Sequence, residues 1–214
     1  TPAALRGDSV FSHALVLMAL VAANEPVPPE AIEALRETQI EDGSWAFMGT
    51  TELGDGDSNT TSVVLQALVA ADHGDDPMVE SGLAYLSSVQ NEFGQVLYAA
   101  GQADPADANS TALAVQALIA TGQNPGDAEW LNATRGLAVF QNISGGFRYT
   151  DALPADNLMA TVQAIPALAG YVLPVATACA EEAPITEIDA TPKVIELPAQ
   201  GPGRAACVPL EPAA

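Results

Sequence analysis

Apolar residues fall in clusters three and four positions apart along most of the chain, the spacing that gives an α-helix one dry face. Phe11, Ala14, Leu15, Leu17, Met18 and Val21 predict a first helix ending near Asn24, ahead of Pro26, Pro28 and Pro29. Asp8 or Ser9 caps it. Pro29 is placed to open a second helix, which Ile32, Leu35 and Arg36 carry to Gln39. Two kinds of segment then alternate. One begins at Asp or Asn: Asn59 to Asp72, with Val64, Leu65, Leu68 and Ala71 on one face, then Asp107 to Thr121, then Asp156 to Gly170. The other begins at an Asp corner, Asp76-Pro77 or Asp127, and runs to Gln90 or Gln141. Pro166 predicts a bend or an early end in the last helix. Seven helices result.

The alternation has a fixed period. Gln39, Gly43 and Trp45 return 51 residues on as Gln90, Gly94 and Val96, and 51 further as Gln141, Gly145 and Phe147. Asp57, Asn59, Thr61, Gln66 and Leu68 return 50 residues on as Asp107, Asn109, Thr111, Gln116 and Leu118. A worn third copy sets Asp156 opposite Asn59 and Asn109 and ends at Gln163 and Ile165, and a half-copy opens near His13. Two helices per repeat cannot bury their apolar faces alone, so about three and a half hairpins must stack as an inner and an outer layer. The glutamine reads as an amide that satisfies carbonyls at a helix end or bonds the next repeat's turn. The glycine relieves the backbone, and Trp45, Val96 or Phe147 plugs the gap.

The Gln-x-x-x-Gly-x-Trp phrase, followed by Asp57, Asn59, Thr61 and Gln66-Ala-Leu68, resembles the prenyltransferase and squalene-oxidase repeat over about residues 9–170. The phrasing from Asn109 to Gly122 is most similar to bacterial exported members. The resemblance implies an all-α fold, an incomplete α/α toroid with four inner and three outer helices in residues 1–170. Squalene-hopene cyclases, protein prenyltransferase β subunits and intrinsic-factor-type cobalamin carriers share that repeat, so it points to a fold before a function.

From residue 171 to 214 the pattern changes. Prolines recur, and β-branched clusters at Ile185 to Ile188 and Lys193 to Leu197 predict an extended, β-like tail. An incomplete toroid leaves an apolar edge on its last repeat. Ile185, Ile188, Val194, Ile195 and Leu197, or a second chain, are expected to cover it. Cys179 and Cys207 are expected to form a disulfide worth roughly 3–4 kcal/mol, which implies an oxidising compartment; two free thiols are the alternative. The chain starts at Thr1 without Met, which fits removal of a leading segment from an exported protein.

Charge narrows the partners. With 27 acidic residues against 6 basic ones, the net charge of −21 repels nucleic acid and anionic lipid. No apolar run approaches the ~18 residues of a membrane span. A soluble monomer or weak dimer is expected.

Three chemistries remain. Asp55-Gly56-Asp57-Ser58 resembles the Asp-x-Asp-Asp signature of class II terpene cyclases, which makes Asp57 the proton donor and Asp55 its second carboxyl. Ser58 stands where the third Asp belongs, and 5% aromatics provide little lining for a carbocation. A zinc-dependent prenyltransferase needs Asp, Cys and His to converge, but both cysteines lie in the tail and His13 and His73 share no ligand spacing, so no resident metal is expected there. His13 reads as a satisfied inner-face residue. Asp55, Asp57 and Asn59 alternate like the first ligands of a calcium loop, although Thr60 and Gln66 replace its glycine and glutamate. The third chemistry is positional. Asn59, Asn109 and Asp156 at inner-helix N-termini, with Trp45, Phe47, Tyr98 and Tyr149 in the adjoining loops, would ring one mouth suited to a small amphipathic ligand. The reading is a non-catalytic exported binding or surface-interaction module. The rivals are an enzyme of terpenoid or prenyl chemistry using Asp57 and a structural repeat domain of a larger surface protein.

Overall fold

The computed structural model describes residues 7–101 and 105–174. Short polar residues set where each helix begins. Ser9 opens α1 (Val10–Ala22) by accepting the Ser12 N–H, and Pro29 stands in the first turn of α2 (Pro29–Thr38). Asp57 caps α3 (Ser58–Ala70), Asp76 caps α4 (Pro77–Ser88) and Asp107 caps α5 (Ala108–Ala120). Asn132 caps the short α6 (Ala133–Ala138), and Asn157 caps α7 (Leu158–Leu168). An antiparallel pair, β1 (Arg148–Thr150) and β2 (Leu153–Asp156), precedes α7. The described residues are therefore mainly α.

Three expectations need correcting. The helix predicted from Asp127 to Gln141 is broken: a 3-10 turn at Ala128–Trp130 gives way to left-handed Leu131 and Asn132 before α6 starts. Asn tolerates that conformation, and the Asn132 side chain re-caps the chain on the Arg135 N–H. The last helix begins after Asn157, not at Asp156, which ends β2. Asp57, Asp107 and Asn157 share one phase, because Asp and Asn cap equally well. Pro166 is tolerated inside α7, which runs on to Leu168.

Helices α1, α3, α5 and α7 pack side by side in that order. The even-numbered helices lie against them: α2 on α1, α4 on α3, and α6 on α5 and α7. Helix α3 consequently has neighbours on three sides, and every residue from Thr60 to Leu68 is buried. Its periodicity predicted a single dry face. The remainder of the circumference carries Thr60, Thr61 and Gln66, whose side chains are buried with hydrogen bonds, and Ser58 and Ser62, whose hydroxyls are buried without them. One core cluster centres on Leu17, Leu35, Trp45, Val64 and Leu68, and a second on Leu118, Trp130, Leu137 and Phe147. His13 lies in the interior with Nε2 donating to the Ala31 carbonyl at 2.9 Å.

The glutamine turns stitch this arrangement together. Gln39 pairs with Trp45, Gln90 with Val96 and Gln141 with Phe147 in single β-bridges. The N–H of Trp45, Val96 or Phe147 donates to the hydroxyl of Thr61, Thr111 or Thr161, so each turn is tied to the odd-numbered helix that follows it. Gln39 Nε2 donates to the carbonyls of Gly43 and Met78, each at 3.0 Å, and Gln90 Nε2 donates to those of Gly94 and Trp130 at 3.1 and 2.7 Å. One amide thereby satisfies its own turn and a carbonyl beyond it, in the first turn of α4 or in the 3-10 turn ahead of α6. Gly94, at φ +77°, approaches that element so closely that an added Cβ would stand 2.5 Å from the Leu131 carbonyl oxygen.

The compact unit extends to Pro174. Leu173 turns back to donate its N–H to Gln66 Oε1 and to pack on the first core cluster. The Cys179–Cys207 disulfide, the β-like tail and its covering residues Ile185, Ile188, Val194, Ile195 and Leu197 lie outside the described residues.

Candidate functional site

Asp57 is 3% exposed and both of its carboxylate oxygens are in use. Oδ1 accepts the Thr60 N–H at 2.7 Å, and Oδ2 accepts the Thr60 hydroxyl at 2.8 Å. Asp107 holds Ser110 in the same way. Burial pushes both carboxyls above the ordinary range, and the bonds from Thr60 and Ser110 oppose it. Asp55 is exposed and is not among the groups that set the Asp57 shift. Asp57 does for α3 what Asp107 does for α5, each capping its helix through both carboxylate oxygens. Among the described residues no group of three His, Cys, Asp or Glu is placed to hold a metal ion.

Trp45 also moves from the expected mouth to the core. It is fully buried, and its Nε1 donates to the Leu35 carbonyl at 2.7 Å. The aromatic residues two positions after each plug reach the surface: Phe47 and Tyr98 are half-exposed, and Tyr149 is half-buried. This phase is visible in the sequence once the copies are aligned. Their backbones sit on helix starts, since the Phe47 carbonyl accepts the Val10 N–H and the Tyr98 carbonyl accepts the Ser58 N–H at 2.8 Å. Phe47 also packs on Phe11, with centroids 6.0 Å apart. Burial pushes the Tyr98 phenol up, and the charges of Asp57 and Tyr149 push it the same way.

Polar atoms beneath this rim are not matched. Asn59 Oδ1 and Asn109 Oδ1 are buried and accept no hydrogen bond, and the hydroxyls of Ser58 and Ser62 are in the same condition. The asparagines were legible from their recurrence. The serines were not, because Ala108 and Ala112 replace them in the next copy. Asp156 is apart from this group. It is exposed, and Asn142 Nδ2 and the Ser144 hydroxyl donate to Oδ1 at 2.7 and 2.8 Å, which holds its carboxyl below the usual range. An open cleft of about 350 Å³ beside it is lined by Tyr149, Leu153, Pro154, Ala155 and Asn157.

No protein-family model matches the chain, and no curated protein does. Among solved structures it is similar to a protein from Actinoplanes known from its crystal structure, with 19% identity, a TM-score of 0.38 and coverage of 80% of this chain and 68% of that one. Among the described residues no helix is long and apolar enough to cross a membrane.

Proposed function

We propose that residues 7–174 form an incomplete α/α toroid, with α1, α3, α5 and α7 as its inner row, and that it serves as a non-catalytic, exported binding module. The ligand is a small amphipathic molecule held at the N-terminal ends of the inner helices. The observation that carries this reading is the repetition at Asn59 and Asn109. A buried amide oxygen with no partner is destabilising by about 1–3 kcal/mol, and this chain has one at the same place in two copies. A ligand hydroxyl or amine between the helix starts would satisfy both, while Phe47, Tyr98 and Tyr149 offer apolar area above them. The net charge of −21 favours a neutral or cationic ligand over an anionic one. The commitment of Asp57 to Thr60 favours binding over acid-catalysed cyclisation.

Native mass spectrometry of the protein secreted into an oxidising compartment tests the reading by revealing any retained organic molecule. Titration with neutral alkyl glycosides, followed through tyrosine fluorescence, provides a defined probe. Binding that weakens in both Tyr98→Ala and Asn109→Ala supports the site. Absence of a retained molecule together with no response to the glycosides removes it.

A further inference from the structure

Helices α1, α4 and α5 pack on α3, and Leu65 turns toward α4, where it lies close to Gly82. At about 3.6 residues per turn, the opposite side of α3 carries Val63 and Ala67, with Gln66 beside them. All three are buried. The chain after α7 reaches this side: Leu173 packs on the core cluster that contains Val63 and Ala67, and its N–H donates to Gln66 Oε1 at 3.0 Å. Gln66 departs here from its counterpart. Gln116 Nε2 donates across to α7, to the Gln163 carbonyl at 3.0 Å. The equivalent acceptor for Gln66 is the Leu113 carbonyl, since Leu113 follows its cap Asp107 by as many residues as Gln163 follows Asn157. Gln66 Nε2 instead donates back to Ser62 of its own helix at 3.3 Å, a long bond, while Oε1 serves Leu173. The segment it holds is lightly fixed. Among the described residues Leu173 makes that one hydrogen bond, residues 172–174 are half-buried, and Tyr171 is 58% exposed.

We propose that residues 172–174 are a latch that opens while α3 stays folded, and that the groove they cover binds an extended peptide with a leucine where Leu173 now stands. The built-in occupant defines the chemistry of the ligand. It offers a main-chain N–H to Gln66 Oε1 and a branched apolar side chain to the surface of Val63 and Ala67, none of which carries a charge. Opening is eased because Gln66, once released, can make to α5 the bond that Gln116 makes to α7, so the glutamine has two arrangements and not one. While closed, the latch competes with any free peptide, and the apparent affinity falls by the fraction of chains whose groove is vacant. The groove is distinct from the N-terminal ends of the inner helices, since Gln66 lies in the second half of α3.

Hydrogen exchange and peptide titration of the full chain test the latch and the groove in turn. In the wild-type chain the Leu173 amide is expected to exchange faster than the amides of Gln66 and Ala67, because local opening precedes unfolding of α3. Protection of Leu173 equal to theirs overturns the latch. The probe for the groove is a peptide of the chain's own residues 171–174, dye-labelled at its N-terminus, amidated at its C-terminus and followed by fluorescence anisotropy. Leu173→Asp removes the occupant; it is expected to keep its thermal transition and to bind the peptide about tenfold more tightly than the wild-type chain does. Gln66→Met, added to Leu173→Asp, removes the acceptor and is expected to reverse that gain. A Leu173→Asp chain that fails to fold makes Leu173 a fixed part of the core and overturns the proposal. A folded Leu173→Asp chain that binds no better than wild type, or a double variant that binds as well as the single one, overturns it too.

Discussion

The side-chain amide of Gln90 donates to the main-chain carbonyl of Trp130, 2.7 Å away and 40 residues along the chain. Gln39 bears the same relation to Met78. The repeat boundary is therefore crossed at a fixed point by one side chain that also holds its own turn. Replacing Gln90 with Met removes both bonds and leaves two carbonyls wanting a donor, at a cost of about 1–3 kcal/mol. Gln141→Met removes one bond from an exposed turn and is expected to cost less. Urea denaturation of the two variants compares them directly, and equal losses would remove the cross-boundary bond as a source of stability.

Glycine at the turns provides an independent comparison. Gly94 and Gly145 both have positive φ, at +77° and +90°, so alanine strains either backbone by roughly 1–2 kcal/mol. Only Gly94 has a carbonyl oxygen 2.5 Å from the site of the new Cβ. Gly94→Ala is expected to lower the melting temperature well beyond Gly145→Ala, because α6 has to shift as well. Similar melting temperatures would mean that the close contact at Gly94 tolerates a methyl group.

Thr111 joins a turn to the helix after it. Its hydroxyl accepts the buried Val96 N–H at 3.0 Å and donates to the Asp107 carbonyl at 2.7 Å. Valine preserves the shape and removes the acceptor, so Thr111→Val is expected to destabilise by about 1–3 kcal/mol through an orphaned N–H. Hydrogen exchange at the Val96 amide should rise more than exchange within α5. Unchanged exchange there would show that the amide had found another acceptor.

The capping acids predict an unusual pH response. Burial raises the carboxyls of Asp57 and Asp107, so the folded chain binds those protons more tightly than the unfolded chain. Their contribution is complete below an ordinary carboxyl value of about 4 and is lost as pH rises through the folded values. Asp76, held low by Arg36, and Asp156, held low by Asn142 and Ser144, act in the opposite sense: they stabilise above about pH 4 and lose that stabilisation as the pH falls. These two lie toward the surface, where solvent weakens their effect. Melting temperature is therefore expected to decline as pH rises above the ordinary carboxyl value of about 4 and through the raised values of Asp57 and Asp107. Asp57→Asn is expected to keep the cap, as Asn157 does naturally, and to flatten that decline. Asp57→Ala loses the cap and about 1 kcal/mol. A decline equally steep in Asp57→Asn would place its origin elsewhere.

Much of the architecture was legible because the repeat states it three times. The helices, their order and the roles of Gln39, Gln90 and Gln141 follow from phase alone. The start of α7 was misplaced because Asp156 and Asn157 are both competent caps, and only the hydrogen bond to Ala160 chooses between them. The break before α6 depends on Leu131 and Asn132 adopting left-handed backbone, for which composition gives no warning at Leu131. The full burial of α3 escaped notice because serine, threonine and glutamine occupy positions that only an assembled neighbour can dry. At the candidate site, Trp45 satisfied two descriptions, core plug and rim aromatic. Local sequence could not say which way its ring turns; Leu35 and Gly82 decide that by accepting its N–H and leaving room for its ring.

Because each turn is bonded forward to the next odd-numbered helix, the natural joints of the chain lie after α3 and α5 and not at the glycines between hairpin halves. A segment such as residues 73–122 contains one even-numbered helix, its turn and the helix bonded to that turn. Copied in tandem, it would bring its own glutamine, glycine and threonine and would meet the same carbonyls at both ends. The chain can in this way grow or shrink by whole 50-residue insertions without a new core being devised, and the number of repeats becomes a variable that gene duplication can adjust separately from the sequence within each one.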